Sequence, residues 1–255
     1  ASSRAYGSLV QAGIAMQQLD AQLAREDFAE AAASFAQGRR DVSSVSSAID
    51  SFRAILPAAG RLKAGRSLLT AGENVAIAGE HLSAMAAPLL TQTEGQEPTT
   101  FPAFLHAAGD HLDPAADALD KAVYALQDVR PNDLPEEYRP TFQSLATALP
   151  QLSGSVSRFR DTIHVVLGLL GARRPQRYLV LLQNNTELRP TGGFIGSVAL
   201  LDVADGAITK LEVPGGGSYD YQGQLKMRVI SPEPLHIVNP AWYLQDANWW
   251  PDFPT

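Results

Sequence analysis

The chain has 255 residues, enough for one large domain or two ordinary ones. Its hydrophobic content of 45%, charged content of 18% and mean hydropathy of -0.08 fit neither a disordered nor a membrane-spanning chain. A net charge of -7 argues against a nucleic-acid partner, because a phosphate backbone is held by clustered Lys and Arg. The absence of cysteine removes disulfides, thiolate metal sites and cysteine nucleophiles together, and leaves the compartment open on composition.

From residue 9 to 170 the apolar residues recur at spacings of three and four, which predicts five helices packed along narrow seams. The first reads Leu9, Ala12, Met16, Leu19, Leu23; the second repeats every seven residues at Phe28, Phe35, Val42, Ile49 and Leu56. The third carries Leu68, Ala71, Val75, Ala78, Leu82, Met85 and Leu89, and the fourth Leu105, Ala108, Leu112, Ala115, Leu119, Ala122, Leu126 and Val129. A fifth carries Leu145, Leu149, Leu152, Val156, Phe159, Ile163, Val166 and Leu170. Breakers fall between them at Pro57 with Gly60, across 91 to 100, at Pro131 with Pro135, and at Gly171 with Pro175. The second helix would span about 29 residues, or about 43 Å, so residues 1–175 are expected to form an elongated antiparallel helical bundle or stalk of coiled-coil character. No apolar stretch reaches the roughly 20 residues of a spanning helix, and the first residues lack a secretion signal, which places any anchor outside this chain.

The periodicity changes at 177. Residues 178 to 182 form a continuous apolar run, which predicts a strand covered on both faces. Residues 194 to 203 and 207 to 213 predict a hairpin across Ala204, Asp205 and Gly206. Residues 176–255 are thus expected to begin an α/β head, ending in a segment that holds all three Trp (Trp242, Trp249, Trp250).

Chemistry-bearing patterns are few. The five histidines offer one helical pair, His106 and His111, and a spacing of five points them about 140° apart, so no metal site and no cofactor are expected. Ser197 lies inside a predicted strand rather than at a nucleophile elbow. The glycine runs at 192–193 and 215–217 lack the lysine and the spacing of nucleotide-binding loops. The run QNNTELRPTGG at 183–193 differs: it concentrates Asn184, Asn185, Glu187, Arg189 and Thr191 on what reads as a loop leaving a buried strand. A second polar cluster, Asp246, Asn248 and Asp252, could fold against it. A pair between Arg189 and Asp246 or Asp252 would clamp the two loops, and the alternative reading of these residues is a ligand site.

The stretch RYLVLLQNNTELRPTGGFIGS at 177–197, followed by DANWWPDFP at 246–254, resembles a bacterial envelope family known only as a domain of unknown function, DUF4012. That resemblance implies a membrane anchor preceding this region, a location outside the cytoplasm, and no established activity. A weaker likeness is to LytR-CpsA-Psr domains, which transfer glycan polymers from a polyprenyl pyrophosphate carrier. Asn184 or Asn185 then stands where that family has its first Asp, and Arg189 keeps its Arg. Thr191 to Gly193 and Pro214 to Gly216 replace a metal-binding Asp and an Arg-Asp pair, which leaves a magnesium pyrophosphate poorly held.

Together these readings describe an α+β chain of two parts and an extracytoplasmic, membrane-tethered scaffold or interaction subunit of the bacterial envelope without catalytic residues. Its expected partners are other envelope proteins or a C-terminal segment of its own that would complete the head. The alternative is a glycan-binding or glycan phosphotransferase enzyme.

Overall fold

A computed structural model describes residues 2–50, 59–90, 101–224, 226–237 and 239–249. Helices α1 (Ser2–Gln17), α2 (Ala21–Asp50), α3 (Ala59–Leu90), α4 (Phe101–Gln127) and α5 (Arg139–Leu169) precede strands β1 (Gln176–Arg189), β2 (Gly192–Ala204) and β3 (Ala207–Glu212). The chain is α+β and divides into two compact units, Ala1–Val166 and Leu167–Thr255. Among the described residues no helix is long and apolar enough to cross a membrane.

In the first unit α4 follows the expected register closely. Leu105, Ala108, Leu112, Ala115, Leu119, Ala122 and Leu126 are all buried on it, and Val129 is buried just beyond its end. Helices α1 to α4 pair in succession, and two glycines of α3 leave room for aromatic rings of α2. The rings of Phe28 and Phe35 on α2 sit over Gly79 and Gly72 of α3, where an added Cβ would fall 2.5 Å and 2.7 Å from ring carbons. Both faces of α3 are engaged. Arg39 of α2 pairs with its Glu73 at 2.8 Å, Ser83 donates to Met16 Sδ of α1 at 3.4 Å, and His81 meets His111 of α4. Ser153 on α5 donates to Asp120 of α4, and Asp113 of α4 lies 3.1 Å from His164 of α5.

Two helical expectations are corrected. The helix expected over 9 to 23 stops at Gln17, because Leu19 adopts φ 61° and Asp20 restarts the chain by accepting from the Leu23 N–H at 2.9 Å. The buried face of α1 is consequently Ala5, Ser8, Ala12 and Ala15, while Leu19 and Leu23 are exposed. On α5 the expected seam splits in two. Phe142, Leu149, Val156 and Ile163 are buried, whereas Leu145, Leu152 and Phe159 are 39%, 47% and 42% exposed. One heptad row faces the neighbouring helix and the other, three residues on, does not. Ile49 and Leu56 of the second helix's seam lie outside the residues whose side chains are described, and Phe35 and Val42 are half-buried.

The second unit is built on an antiparallel sheet of order β1-β2-β3. Asp205 and Gly206, both at positive φ (49° and 76°), close the β2–β3 hairpin as a two-residue turn of the kind favoured by strand twist. Arg177 and Asp202 are cross-strand partners joined at 2.6 Å and 2.7 Å. This bidentate bond, opposed by partial desolvation but reinforced by the charges of Arg177 and Lys210, leaves the Asp202 carboxyl below its ordinary pKa. Within this unit the Gly206 N–H also donates to Leu170 O at 2.9 Å, and Gly171, at φ 75°, fits against Val203.

The sheet overturns two expectations for the head. Strand β1 is not covered on both faces: Leu179 and Leu182 are 58% and 44% exposed. A continuous apolar run carries no period that separates one-sided from two-sided burial, and the short turn at Pro190 and Thr191 forces an antiparallel neighbour. The run 183–189 is also not a loop. It continues β1, with register shifts after Leu182 and between Asn184 and Leu188.

Candidate functional site

The site grows from the far end of the β1–β2 hairpin. Asn184 pairs with Phe194 and Leu188 with Gly193, so Asn185, Thr186 and Glu187 are extruded from the ladder as a bulge. Asn184 organises it: its Oδ1 accepts from the Thr186 N–H at 3.2 Å and from Thr186 Oγ1 at 2.7 Å, and its Nδ2 donates to Glu187 Oε1 at 3.0 Å. The two glycines that follow are required by close approach. Gly192 has φ 143°, and a Cβ there would stand 2.2 Å from Gln183 Oε1; at Gly193 it would stand 2.0 Å from Asn184 O. The Gln183 side chain accepts from the Gly193 N–H at 3.3 Å.

Against this hairpin end lies the short turn Leu244–Asp246 and the residues after it. Arg189 Nε donates to Asp246 Oδ1 at 2.6 Å, with side chains 24% and 14% exposed. Arg189 Nη1 donates to Leu188 O at 3.0 Å, and the guanidinium carbon is 5.2 Å from the centre of the Phe194 ring, within cation–π range. Phe194 in turn meets Tyr219 at 5.7 Å. Thr191 Oγ1 donates to Asn248 O, and Asn248, fully buried, donates to Gly193 O at 2.8 Å. Trp242 Nε1 donates to Asp246 O at 2.7 Å. Arg189, Thr191, Asp246 and Asn248 are therefore brought together, while Asn184 and Glu187 serve the bulge and Asn185 is exposed on it. Asp252 and Trp250 lie outside the described residues.

A cavity of about 280 Å³ opens beside the Arg189–Asp246 pair, walled by Trp242, Trp249, Ser231 and Asn239 among others. Trp249 lines this space rather than filling it. Among the described residues of this unit, the buried polar atoms Asn248 Oδ1, Gln245 Oε1 and Ser218 Oγ have no hydrogen-bond partner. Among the described residues there is no group of three or more His, Asp or Glu side chains placed to hold a metal. Gln183, Phe194 and Trp242 escaped the sequence reading. Only Trp242 had a signal there, as one of the tail's clustered aromatics; Gln183 and Phe194 matter through a strand register that no spacing encodes.

Residues 173–255 match the family described as "Protein of unknown function (DUF4012)". No curated protein and no solved structure matches the chain.

Proposed function

We propose that the chain is a non-catalytic interaction subunit of the bacterial cell envelope, located outside the cytoplasm and tethered to the membrane through a segment other than those described. The location rests on the family resemblance of 177–255. The interaction role rests on one observation, the open apolar row of α5. Leu145, Leu152 and Phe159 repeat every seven residues and stay between 39% and 47% exposed, and the adjacent strip is Ala148, Ser155 and Thr162, small and uncharged. A charge-free face at heptad spacing is what a partner helix packs against, and depletion of charge marks the centre of an interface. The partner chemistry is a second amphipathic helix from another envelope protein. In this reading the Arg189–Asp246 pair and the Thr191 and Asn248 hydrogen bonds clamp the head's tail onto its hairpin. The test is to introduce Leu152→Glu with Phe159→Glu into the natural full-length protein and to follow its membrane fractionation and native complex size. The double variant is expected to keep its helicity and envelope location but to migrate as a smaller species. Unchanged complex size would reject the interaction role, and a soluble cytoplasmic protein would reject the location.

The cavity beside Arg189 favours a second reading, in which the head holds a polar ligand such as an envelope glycan fragment against Trp242 and Trp249, as in a LytR-CpsA-Psr-type protein. Arg189 Nη2 and the walls of Ser231 and Asn239 would supply its hydrogen bonds. Calorimetric titration with glycan fragments separates the readings, because this one requires binding that Arg189→Ala abolishes.

A further inference from the structure

Histidines 81 and 111 are thirty residues apart on different helices, and the fold turns both rings into one gap between α3 and α4. Their Nδ1 atoms face each other at 3.3 Å, with ring centres 5.6 Å apart and planes inclined at 43°. That separation is within hydrogen-bond reach when one ring carries its proton on Nδ1. It equals the spacing of two nitrogens sharing a tetrahedral ion: zinc–nitrogen bonds of about 2.0–2.1 Å place the nitrogens about 3.3–3.4 Å apart. Both side chains are only half-buried, so water can reach the gap and complete a coordination shell.

From this geometry we propose that His81 and His111 form a two-imidazole site for a divalent d-block ion of the zinc or copper class, bridging α3 and α4. Imidazole suits these ions, whereas calcium and magnesium select oxygen donors. Each ring binds as the neutral tautomer with its proton on Nε2, so that both Nδ1 lone pairs converge on the ion. No other His, Asp or Glu among the described residues completes a three-ligand cluster, and the remaining positions belong to water. The bond ties two helices in their observed axial register, so the ion is a cross-link of the first unit.

The probe is zinc sulfate titrated calorimetrically into the metal-free 255-residue chain, with copper sulfate as the second ion. The expected result is one ion per chain, a melting temperature that rises with zinc concentration, and at least a tenfold loss of affinity in His81→Ala and in His111→Ala. His106→Ala, an exposed histidine of the same helix α4, should bind like the parent. If either variant loses helicity, the wild-type copper complex decides: its electron paramagnetic resonance spectrum must show coupling to two imidazole nitrogens. No binding at millimolar zinc, a single-nitrogen copper spectrum, or equal binding by parent, His81→Ala and His111→Ala would each overturn the proposal.

Discussion

Replacing Gly79 by alanine sets two effects of opposite sign against each other. Alanine is the better helix former by about 1 kcal/mol in a helix interior, so at an open position the change stabilises. At Gly79 the new methyl would lie 2.5 Å from Phe28 carbons, against about 3.5–4.0 Å for relaxed carbon contacts, so the ring must retreat by about 1 Å or more. Overpacking of this kind costs about 1–3 kcal/mol, which cancels or outweighs the propensity gain and leaves a net loss of up to about 2 kcal/mol. Gly65, on the same helix, has nothing within 4 Å of its added Cβ, so Gly65→Ala should gain about 0.5–1 kcal/mol. Urea denaturation followed by circular dichroism at constant m-value reads both shifts. The second substitution Phe28→Leu should recover part of the loss at Gly79, giving a coupling of about 0.5–3 kcal/mol. A midpoint for Gly79→Ala that rises as it does for Gly65→Ala would refute the packing of these rings on glycine.

Other expectations follow from the head. Asn248→Ala removes a buried donor from Gly193 O and should cost about 1–3 kcal/mol, measurable as a lower melting temperature of the β unit. Asp246→Asn leaves the Arg189 charge without its carboxylate and should speed proteolytic cleavage across 226–249, with the helices unaffected. Because the pKa of Asp202 is depressed on folding by Arg177, its contribution to stability is present above the unfolded value of about 3.9 and is lost as pH falls through the folded one. A pH series with Asp202→Asn should therefore show slightly lower stability at neutral pH and an acid limb below about pH 4 flattened by the same small amount, since the pair is largely solvent-screened.

The sequence carried the helices well where large apolar residues alternate with polar ones, as on α4 from Leu105 to Val129. It misled at α1, where the buried face is Ala5, Ser8, Ala12 and Ala15. Alanine packs closely but does not stand out in an alanine-rich chain, and Leu19 and Leu23 drew the register away from it. The break at Leu19 has no Gly or Pro to announce it, only the capping Asp20. In the head, Asp205 and Gly206 signalled their hairpin by turn chemistry, whereas the strand over 183–189 is polar and exists because β2 pairs with it. The Arg189–Asp246 contact could be anticipated from complementary charge on two polar runs. The Asn248 bond to a main-chain carbonyl and the meeting of His81 with His111 could not, because both depend on three-dimensional register rather than on local spacing.

The interaction role is tested most directly by scanning a photo-crosslinking side chain along α5 of the full-length protein in its own cells. Adducts with a second polypeptide are expected at positions 145, 152 and 159, and weak or absent adducts at Gln143, Gln151 and Arg158. Adduct yields that show no seven-residue period, or none at 145, 152 and 159, would contradict a helix docked on this face.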